Sequence, residues 1–92
     1  MSRKIVVTVL GQDRVGIVAR VATALADARV NIEDLNQKIL GDSIFAMTLL
    51  ADMGDSSLNL GELAERLGAV GEELGLKIMA QDAEVFRFMH RV

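Results

Sequence analysis

The segment best suited to chemistry is Gly11-Gln12-Asp13-Arg14-Val15-Gly16-Ile17. Two glycines bracket a polar turn, and an apolar helical stripe starts directly after it. Gly16 has no Cβ, so a ligand or a second backbone can come close. The first amides of the following helix lack intrahelical partners and sit at the positive end of its dipole. That arrangement favours an anion such as a carboxylate. The same spelling also serves a plain helix cap, with Asp13 accepting from the amides of Val15 and Gly16.

Other chemistries find little support. His90 is the only histidine and there is no cysteine, so no metal set is spelled out. Ser43, Ser56 and Ser57 fall in turns without an identifiable base, and turn chemistry accounts for them. Asp52 and Asp55 read as solvated loop charges. The formal charge of -3 gives no pull towards phosphate backbones or anionic lipid. An RNA-binding sheet would display stacking aromatics, and the chain has only Phe45, Phe86 and Phe88. No apolar run approaches the roughly 20 residues needed to span a bilayer. The short run Ile5–Leu10 ends in a loop, unlike a signal peptide. A cytoplasmic protein is expected, with no nucleic-acid or membrane partner and no cofactor.

The elements that position the turn are legible from periodicity. Ile5, Val7 and Val9 alternate in a β-branched strand. Ile17, Val18, Val21, Ala22 and Leu25 form a helical stripe. Val30–Leu40 reads as a second strand, but Val30 and Ile32 share one parity while Leu35 and Ile39 share the other. A bulge near Glu33-Asp34 would bring all four to one face. Gly41-Asp42 suits a two-residue II′ hairpin. Ser43–Ala51 is apolar on both sides, as in a strand covered on both faces. A second helix follows, with Asn59 and Glu62 in a capping-box arrangement, an apolar stripe from Leu60 to Leu74, and Gly75 just past its end. Gly68 and Gly71 within it would let it lie close to the sheet. Leu76, Ile78 and Ala80 make a fourth strand, and a short helix capped by Asp82 is expected in the tail.

The order βαββαβ, over a single domain spanning 1–92, predicts an α+β fold. This is a ferredoxin-like sandwich: a four-stranded antiparallel sheet of order 4-1-3-2, two helices on one face, and a short C-terminal helix. The free face carries Val6, Thr8 and Leu10, so the tail, a partner or both should cover part of it. Fold alone assigns no activity.

The loop Gly11–Ile17, the aliphatic helix after it and the Val30-Asn31-Ile32 opening of the second strand resemble the ACT domain family. Its pattern is a strand, a G-x-D-R-x-G-I loop, a helix, and a strand beginning N-I. The resemblance runs along the whole chain, and the tail Phe88–Val92 is similar to that of stand-alone ACT proteins of bacteria and archaea. It implies a regulatory domain that is not an enzyme and binds an amino acid or similar metabolite between two copies in a homodimer. The implied contacts are Gly11, Gln12, Asp13, Arg14, Val15, Gly16 and Ile17, with Asn31 and Ile32 facing them. Gln12, Asp13 and Arg14 would form the rim, the amides of Gly16 and Ile17 would take a carboxylate, and Asn31 would hydrogen-bond an ammonium or side chain. Arg14 alternatively pairs with Asp13 or faces solvent. Val15 stands where many relatives have Pro, which removes a preset φ but keeps an amide. Pairing through the edge of the second strand and the first helices would give two equivalent sites. The output would be a separate regulated protein or a change in assembly. The alternatives are an interaction module without ligand, and an acylphosphatase-like hydrolase using Arg14 and Asn31.

Overall fold

The computed structural model describes residues 3–89. Seven elements follow one another: β1 (Lys4–Gln12), α1 (Ile17–Asp27), β2 (Asn31–Leu40), β3 (Ile44–Asp52), α2 (Leu60–Leu74), β4 (Leu76–Asp82) and α3 (Ala83–Met89). The four strands form one antiparallel sheet in the order β2-β3-β1-β4. This is the expected order read from the other edge. The core lies between the sheet and α1 and α2. It is built from Ile5, Val7 and Val9 of β1, Phe45, Met47 and Leu49 of β3, Ile17, Val21 and Leu25 of α1, and Leu63 and Leu67 of α2.

The expected bulge is present. The β2–β3 register skips a residue between Ile32 and Asp34, which leaves Glu33 as the extra one. Ile32 then stands opposite Ala51, Leu35 opposite Leu49 and Ile39 opposite Phe45, so all three point to the helix side. Val30 precedes the strand and is buried as part of the end of α1. That end is a Schellman motif: the Val30 amide donates to the Leu25 carbonyl at 2.9 Å, and the Arg29 amide donates to Ala26 at 2.9 Å. Arg29 takes the left-handed position, at φ 60, where glycine is usual.

Three local expectations are corrected. The β2–β3 hairpin has a three-residue loop, Gly41-Asp42-Ser43, because Leu40 pairs with Ile44. Of Gly68 and Gly71 in α2, only Gly71 reflects close packing: a Cβ there would lie 2.6 Å from the Leu76 carbonyl oxygen, whereas one on Gly68 would meet nothing within 4 Å. Within this chain β3 is covered on one side only, since Ile44, Thr48 and Leu50 are exposed. The capping box of α2 forms as read, with Glu62 N donating to Asn59 Oδ1 at 2.8 Å and Asn59 N to Glu62 Oε1 at 2.9 Å. The tail is helical, and Asp82 Oδ1 accepts from the Glu84 amide at 2.9 Å. His90 lies outside the described residues.

The two core helices are joined across their exposed flanks by Arg20 and Glu73 in a two-point pair, Nε–Oε2 3.1 Å and Nη2–Oε1 2.9 Å. The guanidinium's hydrogen bonds and charge hold the Glu73 carboxyl below its usual range. A carboxyl whose pKa is lowered by folding contributes its stability in full above the ordinary carboxylate range and loses it as pH falls through the folded value. The advantage of wild type over Glu73→Gln should therefore be constant at neutral pH, begin to fall as the pH drops below the ordinary carboxylate range, and disappear below the lowered folded value. Urea midpoints measured from pH 3 to 7 check this. The effect is small because both groups are solvated.

Candidate functional site

The turn after β1 is built by three separate constraints. Gly11 lies opposite both Phe45 and Leu76. A Cβ on it would sit 2.6 Å from Leu76 Cδ2 and 3.2 Å from the Gly75 carbonyl oxygen, so packing against β4 accounts for this glycine. Gln12 ends β1, and the Asp13 amide donates to the Ser43 carbonyl at 2.7 Å, which ties the turn to the β2–β3 hairpin. The chain then crosses to α1 through exposed Arg14, Val15 and Gly16.

Asp13 does not cap α1. The helix begins at Ile17, so Gly16 holds the N-cap position and no side chain caps it. Asp13 lies three residues upstream of that position, outside the reach of the N2 and N3 amides it would have to serve. Gly16 adopts φ 93, with open space where a Cβ would project. Val15 is 99% exposed at the tip. Arg14 neither pairs with Asp13 nor simply faces solvent, because its Nη1 reaches 3.5 Å from the Leu74 carbonyl at the C-terminus of α2. A cation at that pole is favourable. The turn thus offers an uncapped helix start beside an exposed apolar tip.

The structure does not bring Asn31 and Ile32 to this turn. Asn31 pairs with Asp52, and Asp52 with Lys4, whereas the turn adjoins the Gln12–Ile44 end. At about 3.4 Å per residue, the two ends stand roughly 25–30 Å apart. Asn31 is exposed and Ile32 half-buried, on opposite faces of the strand.

The Asn31 end carries a network that sequence reasoning missed. Lys4 pairs with Glu33 and, at 3.4 Å, with Asp52. Asp52 Oδ1 accepts from the amides of Arg3 and Gly54, both at 2.8 Å. The bond to Glu33 is the main cause holding Lys4 above its ordinary pKa. Asp52 is therefore an anchor rather than a solvated loop charge, and the network braces the bulge beside Asn31. Only the strand order brings residues 4, 33 and 52 together, so no linear spacing reveals them. At the same end a groove of about 620 Å³ opens between α3 and β1, with apolar walls from Ile5, Leu50, Met53 and Leu60. Its cations are engaged: Arg3 Nη2 donates to the carbonyls of Met53 (2.7 Å), Ser56 (3.2 Å) and Leu58 (3.3 Å), and Arg87 pairs with Glu84.

Among the described residues no group of three or more His, Cys, Asp or Glu is placed to hold a metal ion, and no helix is long and apolar enough to cross a membrane. Ser56 Oγ accepts from the Leu58 amide at 3.1 Å, in keeping with its reading as a turn residue.

Comparison with known proteins agrees with this architecture. A UPF0237 protein of Methanopyrus kandleri is 47% identical over 87 residues, covering 95% of this chain and 96% of that protein. An ACT domain protein from Streptococcus pneumoniae superposes with a TM-score of 0.82 at 34% identity, covering 94% of this chain and 96% of its own. The regulatory subunit of aspartate kinase from Thermus thermophilus superposes with a TM-score of 0.67 at 25% identity, over 86% of this chain and 50% of that one. The fold is that of a regulatory domain that binds small molecules. The ACT domain profile matches residues 3–81, and with the UPF0237 relative and the pneumococcal structure it shows that the chain belongs to the ACT domain family.

Proposed function

We propose that this chain is a metabolite sensor, taking an amino acid at two equivalent sites between the subunits of a homodimer. One observation carries the reading: the two halves of the contact set lie at opposite ends of a sheet whose outer strand is bare. Of the ten residues of β2, Ile32 alone is even partly buried. Leu35, Ile39 and Leu40 are exposed on this strand. An edge of this kind invites a partner strand. Two β2 strands paired antiparallel about a two-fold axis near Asn36 would set Asp34 opposite Lys38 of the partner subunit. The same register brings Asn31 beside the partner's Gly41, in the hairpin loop whose Ser43 carbonyl holds Asp13. The dimer would thereby join the uncapped start of α1 in one subunit to Asn31 from the other. The carboxylate of the ligand would take the Gly16 and Ile17 amides, and its ammonium or side chain would take the Asn31 carboxamide.

An acylphosphatase-like reaction requires Arg14 and Asn31 around one anion. The dimer would bring Asn31 of one subunit to the other's turn, but the engagement of Arg14 with the C-terminus of α2 speaks for binding rather than turnover. Control follows if ligand favours one subunit geometry over another.

A thermal-shift panel of the common amino acids tests the reading. Ligand at 100 times its Kd stabilises by about 2.7 kcal/mol, which is a rise of roughly 10–20 °C for a domain of this size. One amino acid, or a related few, should produce such a shift at millimolar concentration. If none shifts the transition, the interaction-module reading replaces the sensor.

A further inference from the structure

The sheet face turned away from α1 and α2 is covered at one end only. Val6 points to that face yet is just 7% exposed, and α3 packs over β1 and β4 there. At the other end Leu10, Leu40, Ile44 and Met79 are 44–49% exposed. We propose that α3 of a second copy covers the β1–β4 part of this bare end, at Leu10 and Met79, each copy doing the same for the other about a two-fold axis across the strands near Thr8 and Thr48.

Shape and charge select a second copy. A helix with its side chains is about 10 Å thick, so α3 makes a step on the face, and a flat partner cannot reach the lower half. An inverted copy of the same chain carries the matching step. α3 lies over β1 and β4, and inversion across the strands keeps each strand over its own counterpart. Seven residues of helix span about 10 Å, so the two reciprocal contacts are small and add to the edge pairing. Lys77 on β4 lies on the bare end opposite Leu10. Asp82 and Glu84 sit at the α3 end, where the Glu84 side chain is 79% exposed and, among the described residues, pairs only with Arg87 of its own helix. Inversion brings Lys77 to the partner's Glu84 twice per pair, and Val85, 51% exposed on α3, to the bare apolar residues. The contact is isologous and closes on itself.

Light scattering of the full chain at low micromolar concentration tests this, with circular dichroism to verify folding. With edge pairing as well, the wild type has the mass of four chains of 10.0 kDa each. Met79→Glu and Val85→Glu, at exposed positions, should each halve the mass. Lys77→Glu should lower it, and adding Glu84→Lys should restore it, which keeps the test valid if a single charge insertion fails to fold. Unchanged mass in both Met79→Glu and Val85→Glu overturns the proposal. The double variant Leu35→Lys/Ile39→Lys loads the β2 edge with like charges and reports on edge pairing separately. If it halves the wild-type mass while Met79→Glu does not, the edge dimer stands and the reciprocal α3 contact falls.

Discussion

Gly71→Ala is expected to lower the melting temperature by about 10 °C, although alanine is the better helix former by about 1 kcal/mol. The new methyl would sit 2.6 Å from the Leu76 carbonyl oxygen. That atom belongs to the backbone of the first residue of β4, which is paired with Gly11, so it cannot swing aside as a side chain would. Either α2 lifts from the sheet or β4 shifts in register. Overpacking costs about 1–3 kcal/mol, and an obstacle made of backbone puts this substitution at the upper end. The net loss is then about 2 kcal/mol, from a domain whose total is on the order of 5–10 kcal/mol. Gly68→Ala, one turn earlier in the same helix, meets no atom within 4 Å. It should gain about 1 kcal/mol and raise the melting temperature by about 4–8 °C. Calorimetry of the two variants beside wild type decides the matter. Two shifts of the same sign would refute the assignment of Gly71 to helix–sheet contact.

That pair also marks a boundary of what the chain's spelling conveys. Gly68 and Gly71 look alike in the α2 stripe, and only the path of β4 distinguishes them. Features governed by near neighbours were legible: the Asn59–Glu62 box, the Asp82 start of α3, and even the bulge, since Val30, Ile32, Leu35 and Ile39 share a face only if one residue is looped out. The hairpin differed by one residue because turn length is set by the β2–β3 register, which a Gly-Asp pair does not determine. Asp13 was misread as a cap for a related reason: its amide is claimed by Ser43 across the hairpin, and the helix starts later. The Lys4–Glu33–Asp52 network left no trace at all, because its members meet through strand order alone. The loop motif was legible as a unit. What pattern could not show is that Asn31 and Gly16 belong to opposite ends of one sheet, a separation that follows from β2 running in the same direction as β1.

That separation makes subunit complementation the sharpest test of the proposed site. Asn31→Ala should weaken amino-acid binding about 10–100-fold, the loss of one hydrogen bond to a charged group. Gly16→Val should do at least as much, because its φ of 93 is unfavourable for a branched residue and the isopropyl would fill the open space before α1. Each homodimer alone should show only this weakened affinity, with no wild-type sites. When the two variants are unfolded and refolded together, half of the dimers are mixed. In each of these, one site joins an intact turn to an intact Asn31, and the other site joins both defects. Titration calorimetry of the mixture should therefore show wild-type affinity at about a quarter of the wild-type stoichiometry. A site formed within one chain cannot be rescued by mixing, since every copy keeps its own defect. Recovery of binding thus requires residues from two subunits in one site, and a mixture that binds as weakly as its parents excludes a site shared between Gly16 of one chain and Asn31 of the other.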